Sequence, residues 1–367
     1  MQKIKTALIG CGKVGHIFAA ALKSMPESDF VAVCGRNLAR TQPFADKYNV
    51  KAFDDPTKMI RDTGAQAICI GTQHPQHAGP AVACANAGAH VLIEKPLAST
   101  LADCDLILNA AKQNNTIVST ISQRRFYDCS QRIRNAIDSG KIGKPILGVA
   151  TMFGWRDEKY YKSDPWRGSW AGEGGGILVN QAPHQLDLLN WYMGPIAELS
   201  GYWANLNHPY IEVEDTAVAI LRFKSGALGH ILMTNSANPA LYGRVQINGS
   251  NGASVGVQTD GGAMFIAGMS KIAEPPINDV WTIPGEEHLL AQWKKQDTDH
   301  FNSIDPIAHF HTLQIRDFLN AIKEKRQPYI TGQDGRRTVE LFTAIYRSNK
   351  TKAPVTFPLP PGDDAFR

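Results

Sequence analysis

The chain has 367 residues, 43% hydrophobic and 20% charged, with a formal net charge of +4. That length accommodates two domains with separate cores. The small charge, spread without a dense Lys/Arg tract, argues against nucleic acid or an anionic membrane surface as partner. No run approaches the ~18 uninterrupted apolar residues of a membrane span, and the first apolar stretch runs into glycines rather than a signal-peptide cleavage region.

In chain order, residues 1–125 alternate short β-rich runs with helical stretches. Strands are expected at 4–9, 30–34, 67–70, 91–93 and 117–119, and helices at 15–23, 38–48, 56–62, 79–87 and 102–114. This alternation predicts an α/β domain with a doubly wound, mainly parallel sheet. A helix at 130–139 leads into a second region, 126–357, of different texture. Longer strands at 147–155, 196–204, 216–224, 227–235 and 245–248 are joined by hairpin chemistry such as Lys224-Ser225-Gly226-Ala227. One glycine-led helix, 176–193, interrupts them, and helices at 310–323 and 335–348 close the fold. The pattern is a large, mostly antiparallel open sheet with helices on one face. Residues 263–300 lack a clear period and are expected as loop or lid, and 358–367 as a flexible tail. All six cysteines (Cys11, Cys34, Cys69, Cys84, Cys104, Cys129) lie in the first 129 residues without a C-x-x-C pair. That usage suits buried free thiols in a reducing cytosol, so a cytoplasmic location is expected.

The chemistry concentrates in two places. Gly10-Cys11-Gly12-Lys13-Val14-Gly15 follows the apolar run 6–9 and opens a helix. That strand–glycine–helix setting is what a dinucleotide-binding turn requires: glycines for the turn and close approach, helix N–H groups for the phosphates. Glu94-Lys95-Pro96 follows the strand at 91–93, so Lys95 arrives at the edge where open α/β sheets bind ligands. Thr72, His77 and Gln123 fall at strand ends facing the same crevice. In the second region, Gly174-Gly175-Gly176 precedes Asn180, His184 and Asp187, which share a face on one continuous helix. Histidine and lysine both suit the proton acceptor that a hydroxyl losing hydride needs. Where NAD-binding domains place an acid about 20 residues after the glycine turn, this chain reads Cys34-Gly35-Arg36-Asn37. Gly35 with Arg36 can accept a 2′-phosphate, so the cofactor is expected to be NADP(H) or NAD(H), with NADP(H) used at least as well. His74, His77 and His309-x-His311 lack a ligand set at metal spacing, and no metal is expected.

The ordered set G-x-G-x-x-G, E-K-P and G-G-G…H-x-x-D resembles the family of glucose-fructose oxidoreductase and inositol dehydrogenases, Gfo/Idh/MocA. The likeness continues through Gln123-Arg124-Arg125-Phe126, Gly140-Lys141-Ile142-Gly143, Trp166-Arg167, 314–318 and 335–340, nearly the whole chain. The resemblance implies a Rossmann domain followed by an α/β domain with an open sheet, and NAD(P)-dependent oxidation or reduction of a sugar, glycoside or cyclic polyol. It implies that Lys95 and His184 flank the reacting hydroxyl, and that Glu94 and Gln123 border the cofactor. Arg125, Trp166, Arg167 and Asn180 are candidate substrate contacts, although Trp166 and Arg167 could equally anchor their loop. His309 and Gln314 are further pocket candidates. Asn180 stands where many members carry Asp. A homodimer or homotetramer through the open sheet is expected, because Val218, Ile220 and Phe223 cannot all face one side. The same residues would serve an enzyme that keeps its nicotinamide bound and uses transient oxidation for elimination or glycoside cleavage. A non-catalytic NAD(P) sensor is disfavoured by the presence of both Lys95 and His184.

Overall fold

The computed structural model describes residues 3–259, 274–360, 362 and 364. The chain runs β1 (Ile4–Ile9), α1 (Lys13–Ser24), β2 (Ser28–Cys34), α2 (Leu38–Tyr48), β3 (Lys51–Phe53), α3 (Pro56–Thr63), β4 (Ala67–Ile70), α4 (Ala78–Asn86), β5 (His90–Ile93), α5 (Leu101–Gln113) and β6 (Val118–Thr120). It continues through α6 (Asp128–Asp138), β7 (Pro145–Phe153), α7 (Glu158–Lys162), α8 (Trp170–Glu173), α9 (Ile177–Asn180), α10 (Pro183–Met193), β8 (Ile196–Ala204), β9 (Thr216–Phe223) and β10 (Leu228–Thr234). The remainder is β11 (Gly243–Gly249), β12 (Ser254–Thr259), β13 (Ile277–Trp281), α11 (Leu289–Ser303), α12 (Pro306–Glu324), α13 (Gly332–Thr351) and β14 (Val355–Thr356).

Two compact units result: Met1–Gln123 with Pro306–Val339, and Arg124–Asp305 with Glu340–Arg367. In the first, six parallel strands lie in the order β3-β2-β1-β4-β5-β6. The order reverses between β1 and β4, which opens a crevice outside their carboxyl ends. Strands β4 and β5 are apolar almost throughout, as a sheet covered on both faces requires. Phe18 and Leu22 of α1 pack with Ile315, Phe318 and Leu319 of α12, so a late helix completes the core of the first unit. The short edge strand β3 escaped sequence reading because three residues carry no period.

The second unit holds eight strands in the order β13-β12-β11-β7-β10-β9-β8-β14, antiparallel except for β7 with β10. Strand β9 alternates strictly: Ala217, Ala219, Leu221 and Phe223 are buried, while Val218 and Ile220 face outward. Three expectations need correction here. The helix expected over 176–193 is two helices, α9 and α10, broken at Gln181-Ala182, where Pro183 starts the second. Of the stretch expected as loop or lid, residues 263–273 lie outside the described residues, and the rest contains β13 and most of the 15-residue α11, which runs on to Ser303. Tertiary contacts rather than periodicity make that helix: Trp293 packs edge-on against Trp281 at 4.9 Å, and Asp297 forms an ion pair with Arg132 at 2.6 Å. In the expected tail, Leu359 is buried and its N–H donates to Glu340 Oε1 at 2.8 Å, so the chain is held at that residue, while Pro358, Pro360 and Gly362 are exposed.

No helix among the described residues is long and apolar enough to cross a membrane. The six cysteines are free thiols, five of them buried.

Candidate active site

In the first unit the glycine turn is shaped by close approach. Gly10 has φ +108°, and a Cβ there would stand 2.5 Å from the Gly71 carbonyl oxygen. At Gly15 it would stand 2.2 Å from Gly10 O. Gly12 N-caps α1 with no side-chain cap, and a Cβ on it would meet nothing within 4 Å. The first intrahelical bond runs from His16 N–H to Gly12 O at 3.2 Å, so the N–H groups ahead of it are directed out of the helix end. No acidic residue lies in that first turn, and the positive end of a helix dipole favours an anion. Lys13 is exposed beside the turn, Val14 packs near Gly71, and Thr72 abuts Gly10.

The carboxyl edge of β5 and β6 supplies side chains. Glu94 and Gln123 are each 8% exposed, and Glu94 Oε2 and Gln123 Oε1 are buried without a hydrogen-bond partner among the described residues. Burial pushes the Glu94 carboxyl up to about 7, with the Lys95 charge opposing. Gln314 accepts from Ser122 N–H at 2.9 Å and donates to Thr120 O at 2.7 Å. That fixes the exit of β6 just before Gln123. Lys95 is half-buried and joined to Pro96 by a cis peptide bond. His77, expected as a cofactor contact, is fully buried with both ring nitrogens against backbone carbonyls, Pro96 O at 2.9 Å and Thr72 O at 3.2 Å. Its ring is enclosed and joins the loops after β4 and β5. Gly35 and Arg36 follow β2, with Arg36 exposed.

In the second unit His184 is half-exposed in the first turn of α10. The turn ahead of it is held by Glu214, whose carboxylate accepts from Gly176 N–H at 2.9 Å, Leu178 N–H at 3.0 Å and Tyr346 O–H at 2.8 Å. Burial raises the Glu214 carboxyl to about 7, against the pull of those donors. Asn180 ends α9 and donates to buried Glu173 and to Tyr160 Oη at 3.3 Å. Tyr160 Oη also receives Gln181 Nε2 at 3.0 Å and Arg167 Nη1 at 2.5 Å. The Arg167 guanidinium lies 4.3 Å from the Tyr160 ring and 4.4 Å from the Trp166 ring. Of the two roles open to Trp166 and Arg167, this stack favours anchoring the loop. Arg125 is 3% exposed and forks onto Asp187 at 2.8 and 2.6 Å, with Trp191 over its face at 5.3 Å. That pairing ties Arg125 to α10 within the second unit.

Sequence profiles agree with this architecture. The oxidoreductase family with an NAD-binding Rossmann fold, Gfo/Idh/MocA, matches residues 4–122, and the Gfo/Idh/MocA C-terminal domain matches residues 130–255. The chain belongs to the Gfo/Idh/MocA oxidoreductase family. It is 27% identical to the myo-inositol 2-dehydrogenase of Thermotoga maritima, over 96% of this chain and 98% of that protein. It is 26% identical to the scyllo-inositol 2-dehydrogenase (NAD(+)) of Bacillus subtilis, over 96% of each. The crystal structure of the WlbA dehydrogenase from Bordetella pertussis in complex with NADH and UDP-GlcNAcA aligns with TM-score 0.85 at 27% identity, covering 98% of this chain and 99% of that one.

The residues present fit the dinucleotide this Gfo/Idh/MocA fold implies. Space lies open over Gly12 at the N-terminus of α1, and two buried acceptor oxygens at the carboxyl edge want donors such as ribose or carboxamide groups. Sequence reasoning missed Glu214, Glu173 and Tyr160. Glu214 sits in Val213-Glu214-Asp215, an acid pair before a strand, and that was the one signal available.

Proposed function

We propose that the chain is an NAD(P)-dependent dehydrogenase or reductase acting on a secondary hydroxyl or ketone of a sugar, glycoside or cyclic polyol. The observation that carries the reading is Lys95 at the carboxyl end of β5, in the same unit as the glycine cradle and two unsatisfied acceptors. Bound nicotinamide would supply the hydride acceptor for oxidation, or the donor for reduction. Lys95 donates a hydrogen bond to the substrate oxygen and polarises it, while His184 takes the hydroxyl proton in oxidation and returns it in reduction. The inositol 2-dehydrogenase relatives and the UDP-GlcNAcA-bound neighbour support the substrate class. The test is a panel of myo-inositol, scyllo-inositol, glucose and UDP-GlcNAcA with NAD or NADP, read by nicotinamide absorbance. Turnover of a panel member supports the reading, and NAD(P) binding with no turnover across a wider set of sugars and polyols contradicts it.

Acceptance of a 2′-phosphate is part of the proposal. A Cβ on Gly35 would lie 2.5 Å from Thr41 Oγ1 and 3.3 Å from Cys11 Sγ, so an acid has no room there. Arg36 is exposed and makes no hydrogen bond or ion pair among the described residues. It can therefore turn to a phosphate. NADP(H) should bind at least as well as NAD(H), and Arg36→Ala should weaken NADP(H) alone. Strong NAD preference with no effect of Arg36→Ala would refute this.

The open sheet face is proposed to cover a second copy of the chain. It exposes Ile220 at 68%, Tyr202 at 58%, Leu228 at 50% and Val218 at 37%, apolar side chains that a partner would cover. Sedimentation should show a dimer or tetramer at micromolar concentration, and a monomer there would contradict it.

A further inference from the structure

His77 has a chemical problem that its surroundings define. Its ring is fully buried, with Nδ1 2.9 Å from Pro96 O and Nε2 3.2 Å from Thr72 O. Both neighbours are acceptors. A neutral imidazole has one N–H to give, and burial lowers the His77 pKa to about 4, so the ring is neutral at physiological pH. One nitrogen must therefore face a carbonyl without a proton between them. Both contacts lie within the N–H···O range, and the 2.9 Å one at Nδ1 is the shorter. The shorter contact favours the proton on Nδ1.

We propose that His77 is a positioning residue for Lys95, its Nδ1–H donating to the Pro96 carbonyl and fixing the peptide next to the lysine. The ring lies at the start of α4, following the loop after β4, and reaches to the segment after β5. It thus ties together two neighbouring strand ends on the ligand-binding edge of the sheet. Thr72 Oγ1 donates to Gln76 O at 3.1 Å, which closes the same loop beneath the ring. The His77 ring nitrogens face Pro96 O and Thr72 O, so the ring acts on the backbone one residue beyond Lys95. The role rests on the reading of Lys95 given above.

Two isosteres separate the two nitrogens. Asn places an amide N–H where Nδ1 stands, and Gln places one where Nε2 stands. His77→Asn should keep kcat within a few-fold of the parent, while His77→Gln should lower kcat on the order of 100-fold with unchanged NADH affinity, the scale of a small misplacement of a reacting group. KM should move little in either. A second readout needs no turnover: long-range ¹H–¹⁵N spectra of the full chain labelled at histidine, with the His77 ring identified by its loss in His77→Asn. The expected result is an Nδ1–H tautomer that does not titrate between about pH 5.5 and 8.5. An Nε2–H tautomer, equal loss of turnover in both variants, or loss of NADH binding in His77→Gln would overturn the role. Lys95→Met is the reference. Turnover that survives Lys95→Met overturns the reading of the lysine itself, whereas turnover lost there but retained in His77→Gln overturns only the positioning role.

Discussion

In the first unit, the groups that would meet a dinucleotide are placed by backbone: consecutive glycines, a helix end, and residues directly after β5 and β6. In the second, the groups around His184 are placed by side chains far apart in sequence. Glu214 reaches Gly176 across 38 positions, Arg125 reaches Asp187 across 62, and Tyr160 meets Asn180 across 20. The first kind of site tolerates side-chain change wherever the backbone path is kept. The second depends on buried polar groups being satisfied together, and each partner removed exposes another to an unpaired state.

The largest effect should therefore fall in the second unit. Asp187→Ala leaves the Arg125 guanidinium buried without its carboxylate, and a loss of ~3–5 kcal/mol is expected in urea unfolding. A loss below about 1 kcal/mol, typical of an exposed pair, would show that water reaches Arg125 and that the contrast between the units is overstated. Asn180→Ala comes next. It removes a donor from the buried Glu173 carboxylate, at a cost of ~1.5–3 kcal/mol for a bond to a charged group.

A pH effect of about 1.4 kcal/mol per unit should follow in the first unit. The Glu94 carboxyl lies at about 7 without ligand, and a ribose hydroxyl donating to Oε2 favours the ionised form. Cofactor affinity should rise as pH increases toward 7 and level off above it; titration calorimetry would detect proton release below that pH. A flat profile from pH 5.5 to 8 would place the ribose elsewhere. The stability signs oppose each other. Glu94 and Glu214 are raised from 4.5, so their contribution is full below 4.5 and is lost as pH rises through about 7. His77 is lowered from 6.5, so its contribution is full above 6.5 and is lost as pH falls toward 4.

The same contrast explains what could be read from sequence. The parallel sheet, the glycine turn and Lys95 after β5 were legible because each is local: a strand, a turn and a helix in succession. The antiparallel sheet was legible from alternation in stretches such as β9. The break between α9 and α10 was not, because the apolar period runs through Gln181-Ala182 and only Pro183 marks the new start. Nor was α11 legible, since its buried residues are Asp297 and Phe301, too few to set a period. The partners of Arg125 and His77, Asp187 across 62 positions and Pro96 across 19, carry no local signal. Conspicuous chemistry is visible in a sequence, but whether it faces a ligand or a backbone carbonyl depends on contacts that spacing does not encode.

Kinetics of Lys95→Met and His184→Ala, with NADH affinity measured on the same preparations, test the assigned pair most directly. Each variant should lose most of its turnover while binding NADH as the parent does. Near-normal turnover in Lys95→Met with cofactor bound would contradict the assignment.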